Sequence, residues 1–149
     1  MFVYNIAMDK FKIVIDTNVI ISGLHSSSGK SYELLQIIDD KNIRLSISIP
    51  LILEYEEVLL RKKKDFGFNK QDIDNFLDYF CKIANQQRIF YLWRSYLKDL
   101  KDDMVLELAF ESQSDYIITY NIKDFKGIEK FGIQVITPYE FLKKLENTI

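Results

Sequence analysis

The chain has 149 residues, 48% of them hydrophobic and 28% charged, and a formal net charge of −2. That length suits one domain with a sizeable core, and the charge gives no basic field for a polyanion, so a nucleic-acid substrate would need local charge or metal ions. Cys81, the one cysteine, excludes an intrachain disulfide, and no apolar run approaches the roughly 20 residues of a membrane helix, so no membrane association and a cytoplasmic location are expected.

Met1 to Asp9 lacks a basic start and a long apolar stretch, and reads as an N-terminal extension to a core of about residues 11–145. Phe11 to Ile15 predicts a buried strand that ends abruptly on Asp16. A short helix over Asn18 to Leu24 follows, then a break at His25–Gly29 that leaves His25 in a loop. Ser31 to Asp39 predicts a helix with Leu34, Leu35 and Ile38 on one face. Arg44 to Ser48 is a second strand. Ser48 is placed to cap the next helix, Pro50 fits its first turn, and the helix runs to about Lys63. Lys70 to Ala84 is another helix, with Ile73, Phe76, Leu77 and Phe80 at helical spacing.

Arg88 to Trp93 reads as the third strand. Asp102 or Asp103 opens a helix that ends near Ser112. Tyr116 to Tyr120 and Ile133 to Ile136 are strands four and five. Thr137-Pro138-Tyr139-Glu140 is a capping box with proline at the first helical position, opening a last helix to Leu145. Alternating strands and helices imply a three-layer α/β/α fold with a mainly parallel five-stranded sheet. Right-handed crossovers favour the strand order 3-2-1-4-5, with a crevice at the C-terminal ends of strands one and four.

Several carboxylates are poorly explained as surface charge. Asp16 sits at the C-terminal end of the first strand, where ligands bind in such sheets. Glu54 lies within the apolar stripe formed by Leu51, Ile52, Tyr55, Val58 and Leu59, and a buried carboxylate needs a partner. Asp102 and Asp103 exceed what one helix cap requires. Asp103 is expected to point inward, since Leu106 and Phe110 share its side. Asn121 or Asp124, after the fourth strand, is positioned to reach the crevice. Asp115, at the other end of that strand, is left outside. Two like charges about 4 Å apart repel by roughly 4 kcal/mol at an effective dielectric near 20. A cluster of Asp16, Glu54, Asp103 and Asp124 therefore calls for a cation, and oxygen-only ligands suit Mg²⁺ or Mn²⁺. Arg61-Lys62-Lys63-Lys64 is the compact basic run available for phosphate contacts.

These residues resemble PIN-domain ribonucleases, in particular the PIN-family toxins of prokaryotic toxin–antitoxin systems, over about Phe11 to Leu145. Ile15-Asp16-Thr17-Asn18-Val19 is similar to that family's first motif and Leu53-Glu54-Tyr55-Glu56-Glu57-Val58-Leu59 to its second. Asp102-Asp103-Met104-Val105-Leu106-Glu107-Leu108-Ala109 is similar to the third, and Ser114-Asp115 through Asp124-Phe125 to the fourth. The resemblance implies a Mg²⁺- or Mn²⁺-dependent endoribonuclease with Asp16, Glu54, Asp103 and Asp124 as catalytic metal ligands. Thr17, Asn18, Asp102, Thr119 and Asn121 would support them. It also implies an RNA substrate, a small antitoxin protein whose C-terminal segment covers the acidic groove, and a homodimer. One departure is Asn121, where the family often carries Asp. Asparagine keeps an oxygen ligand and loses a charge, which leaves a PIN-like RNA- or protein-binding module with impaired catalysis as the alternative reading.

Overall fold

The computed structural model describes residues 10–90 and 94–148. Five parallel strands form one sheet in the order β3-β2-β1-β4-β5, as the sequence predicts. The strands are β1 (Phe11–Ile15), β2 (Ile43–Ile47), β3 (Asn85–Gln86), β4 (Tyr116–Ile118) and β5 (Gln134–Ile136). The helices are α1 (Thr17–His25), α2 (Lys30–Gln36), α3 (Ile49–Phe66), α4 (Lys70–Ile83), α5 (Leu100–Glu111) and α6 (Pro138–Glu146). Ile13, Val14 and Ile15 have no exposed surface, nor do Ile117 and Ile118 beside them. Both faces of the central strands are thus covered, which is why they read as continuous apolar runs.

Helix α5 packs across β1, β2 and β4, while α1, α2, α3, α4 and α6 pack on one another. This division follows from handedness. The connections from β1 through β2 to β3 run in one direction along the sheet, and the return from β3 to β4 runs in the other. Right-handed crossovers then place α5 on the opposite face.

Local chemistry sets the helix ends. The Ser48 hydroxyl accepts from the Leu51 N–H at 3.3 Å, and Pro50 occupies the first turn of α3. Gly67, at φ 73°, closes that helix in the left-handed conformation. The capping box at Thr137 and Glu140 opens α6 as expected. A second one, Asn69 with Asp72, opens α4.

Three local expectations are corrected. The third strand is Asn85–Gln86, paired with Ser46 and Ile47, and Arg88 to Phe90 lie beyond it. Backbone pairing at a sheet edge, with no side-chain signature, made this strand, whereas Arg88–Trp93 looked like one through its apolar and aromatic content. Residues 91–93 of that expected strand, and the Met1–Asp9 extension, lie outside the described residues. Helix α5 starts earlier than Asp102, because the Asp99 carboxylate accepts from the Lys101 N–H at 2.9 Å and caps it. His25 belongs to the last turn of α1, with its ring tilted 43° against that of Phe66 at a centroid distance of 4.5 Å.

Candidate active site

The chain leaves β1 at Asp16, which caps α1: Asp16 Oδ1 accepts from the Thr17 N–H at 2.8 Å. Its other oxygen, Oδ2, accepts from the Thr119 hydroxyl at 2.8 Å and from Asn18 Nδ2 at 3.3 Å. Asn18 also donates to Thr119 Oγ1 at 3.3 Å and accepts from the Tyr120 N–H at 3.2 Å. The Asn121 N–H donates to Thr119 Oγ1 at 3.0 Å. These bonds tie the C-terminal end of β1 to that of β4, the crevice predicted from the strand order. Below them the buried Tyr55 hydroxyl donates to the Ile15 carbonyl. Thr17, Asn18, Thr119 and Asn121 are thus all gathered around Asp16.

An acidic pocket opens above this network. Asp16, Glu54, Asp99, Asp102 and Asp124 line it, with Thr17, Asn18, Asn121, Lys62 and Lys101. Five elements converge there: the end of β1, the start of α1, the middle of α3, the start of α5 and the short 3-10 turn Ile122–Phe125 after β4. Asp115 stays outside at the other end of β4, where its carboxylate accepts from the Lys12 N–H at 2.9 Å.

The sequence places Asp103 among the pocket ligands, and the structure puts it elsewhere. It points inward as the periodicity implies, but inward here is the core. Asp103 has no exposed surface, and its Oδ1 accepts from the Leu97 N–H at 2.7 Å. Its Oδ2 is buried with no hydrogen-bond partner. Helix α5 is packed on several sides, so the side facing the crevice is a different one, and Asp99 and Asp102 occupy it. Asp99 and Lys101 are the pocket residues the sequence reading missed. The spacing Asp99–Asp102 was the available signal, since residues three apart share a helix side.

The electrostatics are those of an overcrowded anionic site. Asp102 is pushed up to about 7, first by burial and then by the charges of Asp16, Asp99, Asp124 and Asp103. Asp16 is raised by burial, partly offset by its hydrogen bonds from Thr119 and Thr17, with Asp124 and Asp99 adding repulsion. Glu54, whose side chain is 13% exposed, is raised by burial against the counteracting charge of Lys101, whose Nζ lies 3.7 Å away. An all-oxygen donor set that repels itself is the chemistry a hard divalent cation relieves, so the residues fit Mg²⁺ or Mn²⁺. As the side chains stand, no three acidic, histidine or cysteine groups among the described residues form a ready-made ligand cluster. Of the basic run, Lys62 reaches the pocket wall, Arg61 pairs with Glu57 at 2.9 Å, and Lys63 and Lys64 belong to the last turn of α3.

A parallel α/β domain with carboxylates gathered at the sheet's switch point is the class of protein this geometry defines. Within that class, the sequence profile of the PIN domain matches residues 12–123, and the chain belongs to the PIN domain family. It is 28% identical over 152 residues to the uncharacterized protein MJ1680 of Methanocaldococcus jannaschii, covering 94% of this chain and 95% of that one. Among solved structures the fold is similar to that in VapBC-1 from nontypeable Haemophilus influenzae, with a TM-score of 0.62 at 18% identity, over 87% of this chain and 99% of that one. It is also similar to that in VapBC2 from Rickettsia felis bound to a DNA fragment from their promoter, with a TM-score of 0.61 at 19% identity, over 85% and 98%. A toxin–antitoxin complex from Klebsiella pneumoniae gives a TM-score of 0.54 at 24% identity, over 85% and 98%.

Proposed function

We propose that this protein is a divalent-metal-dependent endoribonuclease that hydrolyses RNA phosphodiester bonds, and that it is the toxin of a toxin–antitoxin pair. The observation that carries the nuclease reading is the convergence of Asp16, Glu54, Asp99, Asp102 and Asp124 on one pocket of a PIN domain. Asp16, Glu54, Asp102 and Asp124 would hold Mg²⁺ or Mn²⁺, with Asp99 beside them. When bound, such an ion supplies water of lowered pKa and offsets the charge of an approaching phosphate.

The chain's own groups have separable tasks. Thr119 and Asn18 fix the orientation of the Asp16 carboxylate. Lys101 and Lys62, on the pocket wall, attract the phosphate into an acidic surrounding. The start of α1, at Thr17 and Asn18, presents the positive end of a helix to the same space. Histidine is not required by this scheme.

The toxin role rests on family and fold. The three structural relatives come from toxin–antitoxin complexes, which supports an antitoxin partner here. A cytoplasmic location fits an RNA substrate, and no helix among the described residues is long and apolar enough to cross a membrane. The test is cleavage of single-stranded RNA by purified protein with Mn²⁺, compared with Asp16→Asn. We expect at least about a hundredfold slower cleavage by the variant, as is typical when a group organising the reactive centre is lost. Equal cleavage by both would assign the activity to a contaminant. Asn121 on the pocket wall keeps the binding-module alternative in play, and Mn²⁺ titration calorimetry separates the two: a module that only holds RNA or protein has no need of the ion.

A further inference from the structure

A second concavity opens on the same edge of the sheet, over the C-terminal ends of β2 and β3. Its volume is about 530 Å³, within the range of small-ligand sites. Its walls differ from those of the acidic pocket. Ile49 and Leu53, on the first turns of α3, line it together with Ile89. Ile49 is 77% exposed and Leu53 56%, although helices ordinarily turn such side chains inward. Glu107 is the sole carboxylate among the described lining residues, and it is buried and paired with Arg94 at 3.4 Å. Arg88 and the Gln86 amide complete the lining from exposed positions. The lining therefore carries a net positive charge around hydrocarbon, in a chain whose overall charge is −2.

The two concavities are lined from the same stretch of α3. Leu53 lines one and Glu54 the other, and consecutive Cα atoms are about 3.8 Å apart. The strands beneath them, β2 and β1, are hydrogen-bonded neighbours. An acidic pocket beside an apolar one bearing cationic and amide groups suits a polymer that alternates a charged linker with a flat, apolar-faced ring.

We propose that this concavity is a nucleobase subsite, taking the base of a nucleotide next to the scissile phosphate of single-stranded RNA. The base packs against Ile49, Leu53 and Ile89, the Gln86 amide oxygen accepts from its polar edge while the amide nitrogen donates to the Cys81 carbonyl at 3.2 Å, and Arg88 meets the following phosphate. The assignment rests on the ribonuclease reading above.

The experiment is an abasic scan of cleavage. A short single-stranded RNA, and versions lacking one base at a time, are cleaved with Mn²⁺ by the wild type and by an Ile49→Ser/Leu53→Ser double variant. In the wild type, loss of one base flanking the cut should lower kcat/KM about tenfold, since burying the face of a base against aliphatic side chains contributes that order of binding. In the double variant the intact RNA should be cut about tenfold more slowly, and that position should no longer matter. If the double variant fails to fold, the single Leu53→Ser variant, at a 56% exposed position, replaces it and should weaken the same dependence about threefold. A wild-type scan flat at every position, with cleavage intact, overturns the subsite and leaves the nuclease reading standing. No cleavage of any RNA by folded wild type removes both. A double variant that keeps the base dependence but shifts from dimer to monomer in size-exclusion chromatography assigns the surface to a second copy of the chain and overturns the subsite.

Discussion

Replacing Asp102 by asparagine should stabilise the metal-free protein at neutral and alkaline pH. In the folded chain the Asp102 carboxyl is raised from 3.8 to about 7 by burial and by four neighbouring aspartates. For an acid, a folded pKa above the unfolded one means the folded state binds the proton more tightly. Its contribution is neutral below the unfolded value and turns unfavourable as pH rises from about 4 to about 7. A shift of that size corresponds to at most about 4 kcal/mol against the charged form. Asp102 is only half-buried, and solvent screening reduces this to about 1–2 kcal/mol. The amide that replaces the carboxylate has no charge to repel. Thermal unfolding in EDTA at pH 8 should therefore give Asp102→Asn a Tm about 3–6 °C above wild type for a chain of this size. Near pH 4 the two should unfold together. Saturating Mn²⁺ should reverse the order at pH 8, because the wild type gains a ligand the variant holds poorly. A variant no more stable than wild type at pH 8, with or without EDTA, would refute the claim that these carboxylates repel one another in one pocket.

Asp103→Ala should destabilise the fold by about 1–3 kcal/mol in urea denaturation, because it strands the buried Leu97 N–H without its acceptor. Asp103→Asn keeps an acceptor oxygen and should stay within about 1 kcal/mol of wild type; equal losses in both variants would argue that the carboxylate's charge, not this bond, matters. Gly23→Ala should cost about 1–3 kcal/mol despite alanine's better helix propensity, since its new Cβ would lie 2.5 Å from Leu35 Cδ1 and 3.0 Å from the Ser31 carbonyl. A stabilised Gly23→Ala protein would mean that α1 and α2 are not packed so closely.

The fold was legible because its signals are local or follow from chain handedness. Ile13–Ile15 and Tyr116–Ile118 are apolar runs bounded by polar residues, and Thr137–Glu140 carries its own helix start. Asp16 was equally clear, since a carboxylate ending a buried strand leaves few places for its charge. Glu54 was legible from its position in an apolar stripe. Asp103 misled the reading for a physical reason. Periodicity tells which side of a helix is covered, but it does not say whether the cover is protein or a solvent-filled crevice. On α5, buried from Val105 to Ala109, the inward side meets the Leu97 backbone while Asp99 and Asp102 meet the pocket. Strand β3 was missed because its two residues, Asn85 and Gln86, are polar and carry no apolar strand pattern; backbone pairing and the Asn85 amide's bond to the Ser46 hydroxyl at 3.2 Å hold them at the edge.

The order of elements, their periods and their end signals are written residue by residue, so the sequence alone determined a parallel α/β sheet with acidic groups at one edge. Which acidic groups share a space depends on how α3 and α5 are rotated against the sheet. That rotation is set by packing among many residues distant in the chain, so only the tertiary structure decided that Asp99, Lys101 and Asp102 face Asp16 while Asp103 turns away. The apolar concavity beside them has the same origin: Ile49, Leu53 and Ile89 look like ordinary core residues until the neighbouring elements leave them uncovered.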